Sequence, residues 1–556
     1  MRCNQVGYLP DGPKRAVWVT DAEAPAPFRV LDRDGGTIAT GATVPWAVRP
    51  EPTSGLRVHE LEFSGLRAEG AGFVVEVGGA RSHPFAIAPD LYAPLRDDAL
   101  RFFYLQRSGV AIDDARAPGY GRPAGHAGDT AVAAWSGADA RRLYPGWSCP
   151  RRFDVSGGWY DAGDHGKYVT SGAMAVWQLL ATIELLRRRG ADPAAEAVLA
   201  EECRWQLDWL LRMQVPPGRM HAGLAFHRLH GTEWAPLPCR PHEDPTTRVL
   251  HRPSTDAGLH LAAAVAHGAR VFAGDAAYAR RLLEAATTAY RAAQAEPELL
   301  APDDHGAFGG GPYAHDDLGG DWAWAAAELW LASRDPAYAA TAARAAEAGA
   351  IAPDGFDCDR MAAAGALDLA LHGAPAETHD AVVATVIDAA DRLVELQAGS
   401  PWGEPYAPPD GWGWGSNGRI LANLVVLAVA HELSGRAEHR AAAARGMDHL
   451  LGCNALGQSY VTGYGTDATR HQRTRHFAHD LDPSFPPPPP GALAGGPTSK
   501  EHPGFPTDPR LRGLPPQQCY LDEPTSETTN DVCIRWNAPL VHMAAFLSPA
   551  PERRGR

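Results

Sequence analysis

The 556 residues contain no C-x-x-C pair. The eight cysteines stand apart, at 3, 149, 203, 239, 358, 453, 519 and 533. That spacing excludes a cysteine-based zinc ribbon and a thioredoxin-like redox motif. No run reaches the roughly 20 consecutive apolar residues that cross a bilayer. Cations are in deficit: 51 Lys and Arg against 66 Asp and Glu leave a formal charge of −15. Like charges repel, so nucleic acid and anionic membranes are poor partners, and a neutral or cationic substrate fits better. The opening residues, Met1 to Tyr8, carry no apolar signal core, so the expected location is the cytoplasm with reduced, buried thiols. The oligomeric state is left open.

What is present falls into two parts. Residues 1–88 hold short, partly alternating apolar runs at 15–19, 28–31, 58–63 and 72–77, separated by Gly, Pro and Asp. This pattern predicts a small β-sandwich. From Leu91 the period lengthens. Ala- and Leu-rich segments at 173–189, 194–213, 256–272, 276–293, 321–332, 337–350, 360–371, 378–397, 417–433 and 437–451 repeat apolar residues at helical spacing. Two more, near 97–106 and 537–547, bring the count to about a dozen, enough for six helical hairpins closed in a ring. Four long loops interrupt them, at 107–158, 214–254, 400–416 and 455–530. Loops of that length inside a compact domain usually serve function.

The chemistry concentrates in Ser156-Gly157-Gly158-Trp159-Tyr160-Asp161-Ala162-Gly163-Asp164. The glycines permit backbone angles that other residues resist. Asp161 and Asp164 flank Gly163 and are able to aim at one point. Paired carboxylates hold a metal, share a proton, or hold and deprotonate a water. An Asp-capped helix start fits the same letters. Aromatic residues crowd the loops, and Trp402, Trp412 and Trp414 lie in a Gly/Pro-rich stretch suited to a sugar-stacking platform.

Taken together, these segments resemble glycoside hydrolase family 9, the inverting cellulase family, and within it the members with an N-terminal immunoglobulin-like domain. Four pieces carry the likeness, in the family's order. They are Asn4-Gln5-Val6-Gly7-Tyr8, the D-A-G-D segment, Gly452 to Gly465, and Asn530-Asp531-Val532-Cys533-Ile534-Arg535-Trp536-Asn537. Trp414-Gly415-Ser416-Asn417 and Pro490 to Pro497 fit as well. The resemblance implies a mainly α protein: an (α/α)6 barrel catalytic domain over 91–550, preceded by the immunoglobulin-like β-sandwich over 1–88.

It also implies the roles. Asp164 is the base that activates water, Asp161 helps hold that water, and Asp522 supports the acid and the substrate. Trp159, Tyr160, His126, Trp412, Trp414, Tyr460, His471 and Arg475 are the implied substrate-binding residues. The expected function is inverting hydrolysis of β-1,4-linked glucan, with exo-β-glucosaminidase action on short glucosamine oligomers, or a catalytically silent carbohydrate-binding protein, as alternatives.

The sequence departs from the family pattern in two places. The acid is a Glu in the family and Asp531 here, shorter by roughly 1.3 Å of reach; Glu527, four residues earlier, is the alternative acid. The family's HPHHR-like run is His471-Gln472-Arg473-Thr474-Arg475, which keeps only His471 and Arg475 and places Thr474 where a histidine contacts substrate. The acidic residues Asp522, Glu523 and Glu527 suit an amino sugar. No cofactor is required. Some relatives hold a structural zinc on Cys and His, but Ser108 and Gly125 occupy the cysteine positions beside His126. A structural calcium is possible at Asp316, Asp317 and Asp321, where clustered carboxylates adjoin glycines. A solvated helix N-terminus fits those residues equally well.

Overall fold

The computed structural model describes residues 1–549 except 191 and 348. Residue 550, the expected end of the larger domain, lies outside them.

Ten short strands build the N-terminal part: β1 (Arg2–Cys3), β2 (Gly7–Tyr8), β3 (Arg15–Val19), β4 (Pro27–Leu31), β5 (Thr37–Ala42), β6 (Val44–Pro45), β7 (Val58–Glu62), β8 (Gly70–Val77), β9 (Ala80–Arg81) and β10 (Phe85–Ile87). One sheet runs β1-β3-β7-β6 and the other β2-β10-β8-β4-β5, with β9 on β8. Pairing is antiparallel except β10 with β2. Period-two alternation explains the sandwich. On β8, Phe73, Val75 and Val77 point inward and are buried with Phe28, Val30, Leu61 and Phe85. Glu76 between them faces out and pairs with Arg29 at 2.8 Å.

The rest is helical: α1 (Ala93–Leu105), α2 (Val169–Arg189), α3 (Pro193–Met213), α4 (Thr255–Val271), α5 (Ala276–Ala295), α6 (Gly319–Ser333), α7 (Ala339–Ala342), α8 (Ala362–His372), α9 (His379–Ala398), α10 (Ser416–Ser434), α11 (Ala437–Leu450) and α12 (Ile534–Leu547). Helices α2, α4, α6, α8, α10 and α12 pack side by side into a closed inner ring, and the others back them from outside. The inner helices are buried nearly all round, so their apolar residues do not form a single stripe. Helix α2 is apolar and long enough by composition to cross a membrane, yet 89% of its apolar window is buried in the barrel wall.

Two sequence expectations needed revision. The segment 337–350 is not one helix: α7 is a single turn flanked by 3₁₀ turns at Pro336–Tyr338 and Ala343–Ala346. Its buried face consists of Tyr338, Ala342 and Ala345, too little apolar surface to hold a long helix. The loops 107–158 and 214–254 are also not structureless. They supply four strands of a five-stranded sheet, ordered 152–153, 132–134, 248–250, 228–231 and 167–168. Strands of two to four residues are too short to show alternation.

The opening residues themselves help to join the two parts. Asn4 Nδ2 donates to Asp448 Oδ1 at 2.7 Å, and Gln5 Nε2 to the Gly457 carbonyl at 2.7 Å. Trp402 Nε1 donates to Glu51 Oε2 at 3.0 Å.

Candidate active site

The segments that precede the N-termini of α2, α6, α10 and α12 meet at one end of the inner ring. There they line a cleft of about 300 Å³. Helix N-termini carry partial positive charge, which suits a site rich in carboxylates. Backbone bonds weld three distant segments beneath the cleft. Ile534 N donates to the Asp161 carbonyl at 2.8 Å, Arg475 N to the Gly163 carbonyl at 2.8 Å, and Arg473 N to the Asn530 carbonyl at 2.9 Å.

The glycines of the D-A-G-D segment serve two different ends. Gly157 and Gly158 do take positive φ, 84° and 72°. Gly163 does not: it is there for close approach, because a Cβ would lie 2.0 Å from the Arg473 carbonyl oxygen.

Asp164 and Asp531 both line the cleft. Asp164 Oδ2 accepts the Gly166 N–H at 2.8 Å. Asp531 Oδ1 accepts N–H groups from Val532 at 2.9 Å and Gly163 at 3.3 Å. Burial, helped by the charge of Asp164 and opposed by that of Arg473, pushes the Asp531 carboxyl up to about 8. Asp531 is therefore protonated at neutral pH. Glu527 also faces the cleft, where Arg473 Nη2 holds it at 3.1 Å.

Asp161 sits behind this wall, fully buried. Ser171 Oγ donates to its Oδ1, and the Tyr313 hydroxyl to its Oδ2 at 2.5 Å. Burial raises its proton affinity, against the charge of Arg535 and these two bonds. Asp161 is not among the residues that line the cleft, and these two bonds tie it to the wall behind the loop of Asp164. Tyr313 and Arg535 complete the support: Arg535 Nη1 donates to the Tyr313 hydroxyl at 2.8 Å and its Nε pairs with Asp357 at 2.7 Å.

The profile described as "Glycosyl hydrolase family 9" matches residues 92–544, and "Cellulase N-terminal ig-like domain" matches residues 1–82.

The chain belongs to glycosyl hydrolase family 9.

Among family 9 relatives, Endoglucanase C of Cellulomonas fimi is 44% identical over 99% of this chain, which spans only 52% of that protein's length. Cellulose 1,4-beta-cellobiosidase of Acetivibrio thermocellus is 34% identical over 98% of this chain and 67% of its own. The crystal structure of a metagenome-derived family 9 endoglucanase superposes with a TM-score of 0.85 at 32% identity, covering 99% of both chains. The mainly α fold with an (α/α)6 barrel and an immunoglobulin-like β-domain is thus that of the family.

Of the expected substrate-binding residues, Trp414 and Arg475 line the cleft. Seven others do not. Trp159 is buried, packed on Phe103 at 4.8 Å between centroids and donating to Glu202. Tyr160 is buried with its hydroxyl 2.7 Å from His126 Nδ1. Trp412 packs edge-on to Tyr406, and Tyr460 edge-on to Tyr520. An aromatic side chain in a Gly/Pro-rich loop still buries best against the barrel, so the platform reduces to Trp414. His471 points to solvent and pairs with Asp480 at 2.6 Å. Asp522 touches no cleft surface. It gathers Thr469 Oγ1, the N–H groups of Arg470 and His471, and Asn530 Nδ2, so it fixes the loop next to Asp531. His126 belongs to a buried group with His165 and Asp244.

Sequence reasoning missed Trp234, His305, His502 and Phe505, which form the far wall with Trp414. Phe505 stands 5.0 Å from Trp414 and 6.2 Å from Trp234 between centroids. It also missed Tyr313. Neither Trp234 nor Phe505 lies in a motif; Arg535 does, inside the C-terminal segment.

The metals fare differently. Asp316 and Asp317 are exposed, and Asp317 caps the Gly319 N–H at 2.9 Å. Asp321 turns inward to His260 and His315. The three carboxylates do not converge, so the expected calcium site is not formed: Asp317 is held by the helix N-terminus, Asp316 is exposed, and Asp321 turns into the core. The relatives' Cys/His zinc also does not fit. Gly125 is packed so closely that a Cβ would lie 2.4 Å from the Tyr160 hydroxyl, and Ser108 stands at the other cysteine position.

Proposed function

We propose that this chain hydrolyses β-1,4-linked glucans with inversion at the anomeric carbon, and that Asp164 is the general base and Asp531 the general acid. One observation carries the assignment: two aspartates far apart in the chain face the same cleft, and burial raises the proton affinity of one of them. An inverting glycosidase needs an acid on the leaving oxygen and a base on water across the sugar, with no covalent intermediate and no metal. Trp414, Trp234 and Phe505 offer apolar faces to sugar C–H groups, and Arg473 and Arg475 offer donors to hydroxyls. The endoglucanase and cellobiosidase names of the relatives support glucan as substrate.

Glu527 is the weaker choice for the acid, because its carboxylate is already taken by Arg473 Nη2 at 3.1 Å. The case for glucosamine also weakens: Arg473 neutralises Glu527, Arg510 takes Glu523 at 2.7 Å, and Asp522 is spent on the loop. A silent binding protein would have no need for a protonated carboxyl facing the cleft.

The test follows cellotetraose hydrolysis by proton NMR. The reading requires the α-anomer as the first product, and loss of turnover in Asp164→Asn. A β-anomer as first product, or full turnover in that variant, overturns it.

A further inference from the structure

Tyr168 follows Asp164 closely in the chain and closes the two-residue strand 167–168, directly before α2. Neighbouring residues of a strand point to opposite sides. Lys167 turns into the interior, where its Nζ pairs with Asp129 at 2.8 Å, and Tyr168 turns to the cleft and lines it. Its ring is fixed from two sides, 4.4 Å from the Tyr313 ring and stacked on His230 at 6.5 Å between centroids. Glycines clear the space round its hydroxyl. A Cβ on Gly310 would lie 2.8 Å from that oxygen. A Cβ on Gly166 would clash with the same oxygen and lie 2.7 Å from Asp164 Oδ2, so one small gap separates the hydroxyl from the carboxylate.

Hydrogen-bond accounting at this hydroxyl leaves one proton over. The oxygen accepts the Gly311 N–H at 2.9 Å, and its own hydrogen has no acceptor among the described residues. The stacked ring does not take it. His230 Nδ1 lies 2.6 Å from the Gly231 carbonyl oxygen and so carries the imidazole hydrogen, which leaves Nε2 as an acceptor. That Nε2 is without a partner among the described residues. A buried donor lacking an acceptor is costly, and a molecule in the cleft relieves the cost. Tyr313 carries the other hydroxyl among the described cleft residues, and it is spent: it donates to Asp161 at 2.5 Å and accepts from Arg535 at 2.8 Å. Burial, and then the charge of Asp164, hold the Tyr168 phenol well above its ordinary range, so it keeps its proton at the pH of catalysis.

We propose that the Tyr168 hydroxyl donates to the attacking water and, with Asp164, fixes its direction, a role that rests on the reading of the chain as an inverting hydrolase. One water hydrogen points at Asp164, one lone pair accepts from Tyr168, and the other lone pair is left for the anomeric carbon. The water oxygen bonds to that carbon and Asp164 takes the water proton, while the leaving oxygen takes the proton of Asp531 as its own bond breaks. Tyr168 keeps its proton throughout. Its contribution is orientation: a water held at two points gives up less freedom on reaching the transition state. The Gly311 N–H serves the same end, because it holds the phenol oxygen and so limits where the O–H points.

Tyr168→Phe keeps the ring between Tyr313 and His230 and removes only the hydroxyl. Wild type and variant are compared on cellotetraose and on 2,4-dinitrophenyl β-cellobioside, whose leaving group needs no proton. Attack by water is common to both, so kcat is expected to fall on the order of 10- to 100-fold on both substrates, with KM within about threefold of wild type. Cellobiose affinity, by titration calorimetry, is expected to be unchanged. Gly311, Pro312 and Tyr313 line the cleft, so a loop loosened by the lost Gly311 bond would weaken that affinity. Full kcat in the variant, with the α-anomer still the first product of wild type, overturns this inference alone. So does a loss confined to KM, which places the hydroxyl on the sugar, or a loss on cellotetraose only, which places it with the acid. A fall in cellobiose affinity as large as the fall in rate makes the hydroxyl structural and overturns it too. The β-anomer as first product of wild type overturns the hydrolase reading beneath it.

Discussion

Asp531 Oδ1 accepts the backbone N–H of Gly163 at 3.3 Å, which ties the proposed acid to the residue beside the proposed base, 368 positions away in the chain. The acid cannot shift without moving the loop of Asp164. The strand-like pairing of Arg473 with Asp531, and of Ala162 with Cys533, draws the C-terminal segment against the D-A-G-D loop.

The first prediction concerns rate. Asp164→Asn and Asp531→Asn should each lower kcat on cellotetraose on the order of 100- to 10,000-fold, the usual worth of a general acid or base. Glu527→Gln should stay within about tenfold of wild type. Steady-state kinetics at pH 6 check all three; a larger loss in Glu527→Gln than in Asp531→Asn reverses the assignment.

The second concerns pH. The acid works protonated, so activity should fall as pH rises through about 8, the value to which burial lifts Asp531. Arg473 opposes that lift, and Glu527 adds to it. Arg473→Ala should therefore move the alkaline limb of kcat/KM to higher pH, and Glu527→Gln should move it lower. Opposite displacements would contradict the proposed electrostatics.

Much of this was legible in the sequence. The helical period and the D-A-G-D and N-D-V-C-I-R-W-N segments located the barrel and both ends of the cleft, because local periodicity and glycine spacing are written in short windows. The far wall was not legible. Trp234 and Phe505 come from irregular loops and meet only through tertiary packing, while Trp159, Trp412 and Tyr460 look the same in sequence and are buried. Residue type alone does not say which side of a loop faces the core. The inward turn of Asp321, away from Asp316 and Asp317, depends on His260, 61 residues earlier.

The third prediction tests the support beneath the base. Tyr313→Phe removes one donor from buried Asp161 and one acceptor from Arg535. A hydrogen bond to a charged group is worth about 1.5–3 kcal/mol, so kcat should fall roughly ten- to a hundredfold with KM changed little. A change confined to KM would place Tyr313 on the substrate instead.

The fourth concerns stability at the junction of the two parts. Burial lifts Asp448 to about 8, against the hydrogen bond from Asn4. Its folded value exceeds its unfolded one, so its contribution is full below about pH 4 and is lost as pH rises through about 8. Asp448→Asn keeps an acceptor for Asn4 and has no proton to lose. The Tm of wild type should fall relative to this variant between pH 6 and pH 9, and scanning calorimetry at both values checks it.

The most direct measurement uses a substrate whose leaving group needs no proton, 2,4-dinitrophenyl β-cellobioside, beside cellotetraose. The account predicts that Asp531→Asn is crippled on cellotetraose and close to wild type on the activated substrate, whereas Asp164→Asn fails on both. Equal impairment of Asp531→Asn on the two substrates, or rescue by the activated substrate in Glu527→Gln instead, would contradict it.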